Sequence, residues 1–189
     1  MSAGAPWRYV PGAVPDHEAL FVRVRDEVAW TDQMRARRTA SMGRPYNYAG
    51  ANYPEAPFHP AVRLVADAIA PHVGFEPTNC LLNAYPTGEH TIGWHADDVT
   101  ILASGTGIAI VSLGSARTLQ LRAGEPGAFD YTPIRLEPGS LLWMSAALQA
   151  THKHGIKREP DAGPRISLTF RRIVRASPPV DRPRWGAAR

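Results

Sequence analysis

The sequence predicts an α+β protein that is mostly β, a double-stranded β-helix (jelly roll) buttressed by N-terminal helices. Three observations predict it. Apolar residues recur at helical spacing in two stretches before residue 75. Beyond residue 80 the apolar runs shorten and are separated by Gly, Pro, Asp and Ser, which is strand-and-turn punctuation. Two helices followed by many short strands suit helices packed against a double-sheet roll, a fold that can hold a ligand between its sheets.

The chain has 189 residues, 44% of them hydrophobic, enough for one well-cored domain and too few for two ordinary ones. Residues 1–189 are therefore expected to form a single domain, and a monomer is expected. Lys plus Arg number 21 against 17 Asp plus Glu, a net charge of +4 that makes a polyanionic partner plausible. A single cysteine, Cys80, excludes an internal disulfide and fits a buried structural thiol in a reducing compartment. The start, MSAGAPWRYVPG, lacks the basic head and apolar core of a signal peptide, and no run reaches membrane-spanning length. A soluble, cytoplasmic protein with no membrane partner is expected.

In chain order, Asp16 follows Pro15 as an N-cap, and Leu20, Phe21, Val24 and Val28 recur at helical spacing up to about Trp30. A basic stretch from Met34 to Arg38 leads into RPYNYAGANYPEAPFHP, which reads as irregular strand and loop. Pro60 opens a second helix whose Leu64, Val65, Ala68 and Ile69 form a stripe that should pack on a sheet. The expected strands are Cys80 to Tyr85, Gly107 to Leu113, Thr118 to Arg122, Ser140 to Met144 and Arg165 to Val174. The Pro- and Arg-rich tail, residues 176–189, reads as flexible.

The chemistry concentrates in NAYPTGEHTIGWHADD, Asn83 to Asp98. In an extended strand His95 and Asp97 point the same way and can reach one metal ion. A second histidine folded back beside them would complete a two-His-one-carboxylate facial triad, which leaves positions open on Fe(II). His152 and His154 are both available. A bare HxD is a common pattern, so its context matters. Asn83 and Tyr85 share one face of the preceding strand, either lining the same cavity or facing solvent. In RISLTFRR, Arg165, Ser167, Thr169 and Arg171 share a face opposite Ile166, Leu168 and Phe170. Arg165 and Arg171 stand roughly 20 Å apart along a straight strand at about 3.3 Å per residue. They either bracket an elongated dianion or form a solvated strand face. Asp98 faces away from Asp97, as a substrate-side acceptor or a turn aspartate.

The order NAY, HAD, GSLLWM, a late His and RISLTFR resembles the AlkB family of Fe(II)/2-oxoglutarate-dependent dioxygenases, from about Arg37 to Ile173. The resemblance implies that His95, Asp97 and His154 hold Fe(II), His154 being the late histidine that best matches the family's order. It implies that Asn83 and Tyr85 contact 2-oxoglutarate, that Arg165 pairs with its distal carboxylate and that Arg171 serves the opposite end. Residues 31–60 resemble the family's nucleotide-recognition lid and 61–175 its helix and jelly-roll core. On that match Arg37, Tyr46, Tyr48 and Asp98 are substrate contacts, with Tyr48 stacking on a flipped base.

The implied reaction is oxidative N-dealkylation of alkylated DNA or RNA. It consumes 2-oxoglutarate and O2, yields succinate, and releases formaldehyde from the hydroxylated alkyl group. A damaged base pairs poorly and flips out at lower cost, a source of selectivity before any pocket contact. The Arg-rich stretch from Arg35 to Arg44 and the tail are candidate phosphate contacts. The alternative is a hydroxylase of the same cofactor class acting on a protein side chain or small metabolite.

Overall fold

The computed structural model describes residues 5–32, 34, 36–47 and 51–175. Arg35, Tyr48 and the tail at 176–189 lie outside the described residues. In chain order the elements are β1 (Trp7–Val10), α1 (His17–Glu27), β2 (Arg38–Gly43), α2 (Pro60–Val73), β3 (Asn79–Tyr85) and β4 (Ile92–His95). They continue with β5 (Gly107–Gly114), β6 (Arg117–Ala123), β7 (Asp130–Leu136), β8 (Leu141–Ser145), α3 (Leu148–Thr151), β9 (His152–Ile156) and β10 (Arg165–Arg171).

The strands form two antiparallel sheets. The major sheet has the order β1-β8-β5-β10-β3-β2 and the minor sheet β4-β9-β6-β7. Strand alternation divides their apolar residues into two cores. On β10, Ile166, Leu168 and Phe170 join Cys80, Leu82, Val111 and the α2 residues Val65 and Ile69 in the core beneath the helices. Between the sheets, Leu81 and Ile110 of the major sheet meet Leu119, Leu121, Ile134 and Ile156 of the minor one. β10 lies between β5 and β3, so both of its faces are covered and every one of its residues is buried. Fully burying one apolar side chain stabilises by about 1.5–3 kcal/mol, and the central strand carries three. The solvated-face alternative for Arg165 and Arg171 is thereby removed. Cys80 is buried and free, as expected.

Both helices form where the apolar spacing puts them, with differences at their edges. Asp16 stands at the N-cap of α1 but its side chain makes no capping bond, and the helix ends at Glu27, short of Trp30. α2 starts with Pro60 in its first turn while the His59 ring accepts from the Ala61 N–H. It stops at Gly74, whose φ of 72° is the left-handed conformation that favours glycine. Its buried face is Val62, Val65, Ala66, Ile69 and Val73, an i, i+3, i+4, i+7, i+11 set. Leu64, expected in the stripe, sits on its flank and is 50% exposed.

Five of the ten strands among the described residues lie outside the expected list, β2 and β4 beside three that a reading of apolar runs could not reach. β1 is short and lies in the Pro/Gly-rich lead, yet pairs with β8 from Trp7↔Met144 to Val10↔Leu141. β7, DYTPIRL, contains Pro133, which a central strand would exclude; as the edge of the minor sheet it can spare that N–H. β9 holds only HKHGI. The last strand ends at Arg171, before the expected Val174. No helix among the described residues is long and apolar enough to cross a membrane.

Candidate active site

Strand register assembles the site. β10 and β3 pair Arg165↔Tyr85 and Ser167↔Asn83, so these four side chains share the face that looks between the sheets. Opposite them, β4 and β9 pair His95↔His154, with ring centroids 4.2 Å apart. Asp97 lies two residues beyond the end of β4 and is fixed by its own N–H, which donates to Gln149 Oε1 at 2.9 Å. The pair His95 and Asp97 converges although the strand has ended. Asp97 Oδ1 is 3.6 Å from His95 Nε2, and the ligand atoms of His95, Asp97 and His154 all lie within 4.8 Å of one another.

Each donor is held ready for a metal. His95 Nδ1 lies 2.9 Å from Gly93 O, which assigns the ring hydrogen to Nδ1 and leaves the Nε2 lone pair toward the cluster. Burial, then the adjacent His95, lowers the His154 pKa to about 4, so this imidazole is neutral at pH 7. Burial also lowers the His95 pKa. For Asp97 burial acts upward, but Arg171, His154 and His95 more than offset it and keep the carboxyl below its ordinary value. Arg171 Nη2 and Nε donate to Asp97 Oδ2 at 2.5 and 3.2 Å, leaving Oδ1 on the histidine side. His152 shares the strand with His154, but its Nδ1 lies 2.8 Å from Thr151 Oγ1 and it stays outside the cluster.

The rest of the pocket is cationic. Arg165 is 1% exposed; its Nε and Nη2 donate to Ser112 Oγ at 3.2 and 2.8 Å, and its guanidinium lies 5.2 Å from the Tyr85 ring centroid. Among the described residues its Nη1 is buried without a hydrogen-bond partner. A buried charged donor left unmatched is costly, so this atom fits an anionic group of a ligand. Arg37 is buried and donates to Asn83 Oδ1 at 2.6 Å. Tyr46 lies beneath the guanidinium of Arg171, 3.9 Å from CZ to ring centroid, and accepts the Asp98 N–H at 3.0 Å. Asp98 itself is exposed and accepts from Thr100 N and Oγ1 at 2.9 and 2.6 Å, the geometry of a turn aspartate.

Arg117, Ser112 and Gln149 complete the site and went unread in the sequence. Arg117 is 0% exposed and donates to His90 O at 3.0 Å and Lys157 O at 2.5 Å, bolting the loop before β4 to the segment after β9. A signal for it existed, because Arg117, Leu119 and Leu121 share one face of an alternating strand. Starting that strand at Thr118 hid it. Gln149 reaches Asp97 from a four-residue helix and leaves no periodic trace.

The 2OG-Fe(II) oxygenase superfamily profile matches residues 17–171. Human alpha-ketoglutarate-dependent dioxygenase alkB homolog 3 is 31% identical over 160 residues, covering 79% of this chain and 55% of that protein. Human DNA oxidative demethylase ALKBH2 is 30% identical over 162 residues, covering 82% of this chain and 62% of that protein. A solved structure titled "The structure of OsALKBH1" superposes with a TM-score of 0.68 at 17% identity, covering 91% of this chain and 100% of that one, a likeness of fold. The chain belongs to the 2OG-Fe(II) oxygenase superfamily and, within it, to the AlkB family. It spans a little over half the length of the curated relatives it matches. Two imidazoles and a carboxylate are the donor set for Fe(II), and the unmatched Arg165 Nη1 fits a carboxylate of 2-oxoglutarate, so the residues present suit both groups.

Proposed function

We propose that this chain carries out oxidative N-dealkylation of alkylated nucleobases in DNA or RNA, coupled to conversion of 2-oxoglutarate to succinate. The observation that carries the reading is that two residues flanking β2, Arg37 and Tyr46, line the triad pocket. β2 pairs with β3 through Thr39↔Asn83. Arginines lining the triad pocket suit a polyanionic substrate. Relatives whose names include a DNA oxidative demethylase point the same way.

In this reading His95, Asp97 and His154 hold Fe(II), and Arg165, Tyr85 and Asn83 hold 2-oxoglutarate by its carboxylates. Arg171 braces Asp97 and serves the end of the cosubstrate nearest the metal. Tyr46 and Arg37 line the pocket on the side of β2, and Tyr48 meets the substrate, while Asp98 stays a turn residue. Iron, 2-oxoglutarate and O2 together supply the oxidant for the alkyl carbon. The protein's share is to fix that carbon beside the metal and to keep water out. Loss of formaldehyde from the hydroxylated group restores the base.

The test is a turnover panel on methylated single- and double-stranded DNA and RNA. Formaldehyde released in step with succinate is the expected result. Succinate formation with no formaldehyde from any of the four would sink the reading in favour of a protein side chain or small metabolite.

Replacing Arg165 by lysine is expected to raise the 2-oxoglutarate concentration needed for half-maximal turnover by roughly tenfold, about 1.4 kcal/mol. The charge is kept, but a lysine is a point donor. It cannot hold Ser112 with two nitrogens while offering a third to a carboxylate. An unchanged cosubstrate titration would take Arg165 out of the binding role.

A further inference from the structure

The minor sheet has two faces, and the pocket uses one of them. Across β9, β6 and β7 the pairing Lys153↔Arg122↔Tyr131 runs in register on the side opposite His154 and Leu121. Trp94 precedes His95 and joins this outer side, its ring centroid 5.8 Å from that of Tyr131. The Arg122 guanidinium lies 4.6 Å from the Trp94 ring centroid and 4.2 Å from that of Phe129. Lys157 Nζ is 5.7 Å from both Trp94 and Tyr131. The Tyr131 side chain is 50% exposed.

Two further observations set this face apart from an ordinary charged surface. Among the described residues, no carboxylate lies within ion-pairing distance of Arg122, Lys153 or Lys157, whereas neighbouring Arg158 is held by Glu89 at 3.5 Å. Among the described residues Gln120 Oε1 is buried with no partner, and its cross-strand neighbours are Gly155 and Pro133, neither of which brings a polar side chain. The face thus offers one half-exposed aromatic ring, Tyr131, flanked by the partly buried Trp94 and Phe129, and cations without counter-charges among the described residues.

We propose that this outer face docks single-stranded nucleic acid, namely the strand flanking the nucleotide held in the pocket. The proposal rests on the nucleic-acid reading above and says where the rest of the substrate goes. Bases stack on an exposed aromatic ring whatever their identity, and phosphates answer the three cations. An acidic peptide would match the cations alone. β4 is the edge strand of its sheet, and Trp94 is adjacent in sequence to the metal donor His95, so a strand leaving the pocket can pass around that edge onto the platform.

The experiment measures binding of a fluorescein-labelled, unmethylated single-stranded oligodeoxynucleotide to the full chain by anisotropy across a salt series. Formaldehyde release is measured in parallel from a methylated mononucleotide and from the methylated oligonucleotide. Tyr131→Ala is expected to weaken oligonucleotide binding about tenfold and Tyr131→Phe much less. Arg122→Gln, a surface change that keeps the strand, is expected to reduce the salt slope by about one. Turnover of the mononucleotide should match the parent in all three variants. Parent-like affinity and salt slope in both Tyr131→Ala and Arg122→Gln would overturn the proposal. So would a shift in sedimentation with affinity unchanged, which would mark the face as an interface between copies. If the variants lose oligonucleotide binding while even the parent releases no formaldehyde, the dealkylation reading fails and the docking surface stands.

Discussion

Alanine at His154 is expected to abolish iron-dependent turnover, while alanine at His152 leaves a substantial part of it. On the proposed assignment each triad member supplies one of three protein bonds to the metal, so loss of one would reduce the donor set below what a facial site needs. His95→Ala and Asp97→Ala should behave as His154→Ala does. The two late histidines sit two residues apart on the same strand, so sequence separation cannot tell them apart. Their surroundings do. His154 is 5% exposed and pairs across the sheet with His95, whereas His152 lies beside Thr151 at the start of the strand. At most His152 acts through its neighbours, where changes typically cost about 10–100-fold. The measurement is succinate production at saturating Fe(II) and 2-oxoglutarate, with metal content read separately. An inactive His152→Ala beside an active His154→Ala would reverse the ligand assignment.

The parts of the fold legible in the sequence are those where a local pattern and the tertiary environment agree. α2 was readable because Pro60 and Gly74 bracket a run whose apolar spacing matches one buried face. β10 was readable because strict alternation separated four polar residues from three apolar ones, and both sets turned out to be buried on opposite sides. That alternation carried the site as well, since it put Arg165 and Arg171 on the face that Asn83 and Tyr85 share. What stayed hidden depends on partners distant in the chain. β1 is a strand because β8 offers it an edge, and β7 tolerates Pro133 because it is one. Leu64 was misplaced because two overlapping helical stripes fit the same residues, and only the position of the sheet chooses between them. The destination of Arg171 was equally hidden. Sequence alternation points it inward, but only folding brings Asp97, 74 positions earlier, within reach of both its nitrogens.

That contact makes Arg171 the residue whose loss should damage the fold most. Arg171 and Asp97 have side chains 2% and 4% exposed and form an ion pair with two hydrogen bonds. Removing one partner of such a pair strands the other charge in a low-dielectric interior, which costs about 3–5 kcal/mol. Arg171→Met is therefore expected to lower stability by that amount at pH 7, measured by urea denaturation of the metal-free protein. The effect should depend on pH in a definite direction. In the parent the Asp97 carboxyl titrates below its ordinary value, so its contribution is present above the unfolded carboxylate pKa and is lost as pH falls through the lower folded value. Without the guanidinium, burial raises that carboxyl instead, and the variant relieves its stranded charge by taking up a proton at a higher pH than the parent does. The gap between the two proteins should accordingly be widest near neutrality and narrow as pH is lowered. Asp97→Asn combined with Arg171→Met should recover part of the loss, because the charge that made the single change costly is gone. A loss below about 1 kcal/mol in Arg171→Met at pH 7, the range of an exposed pair, would mean that water reaches Asp97 and that the pair is not the buried brace of the metal site.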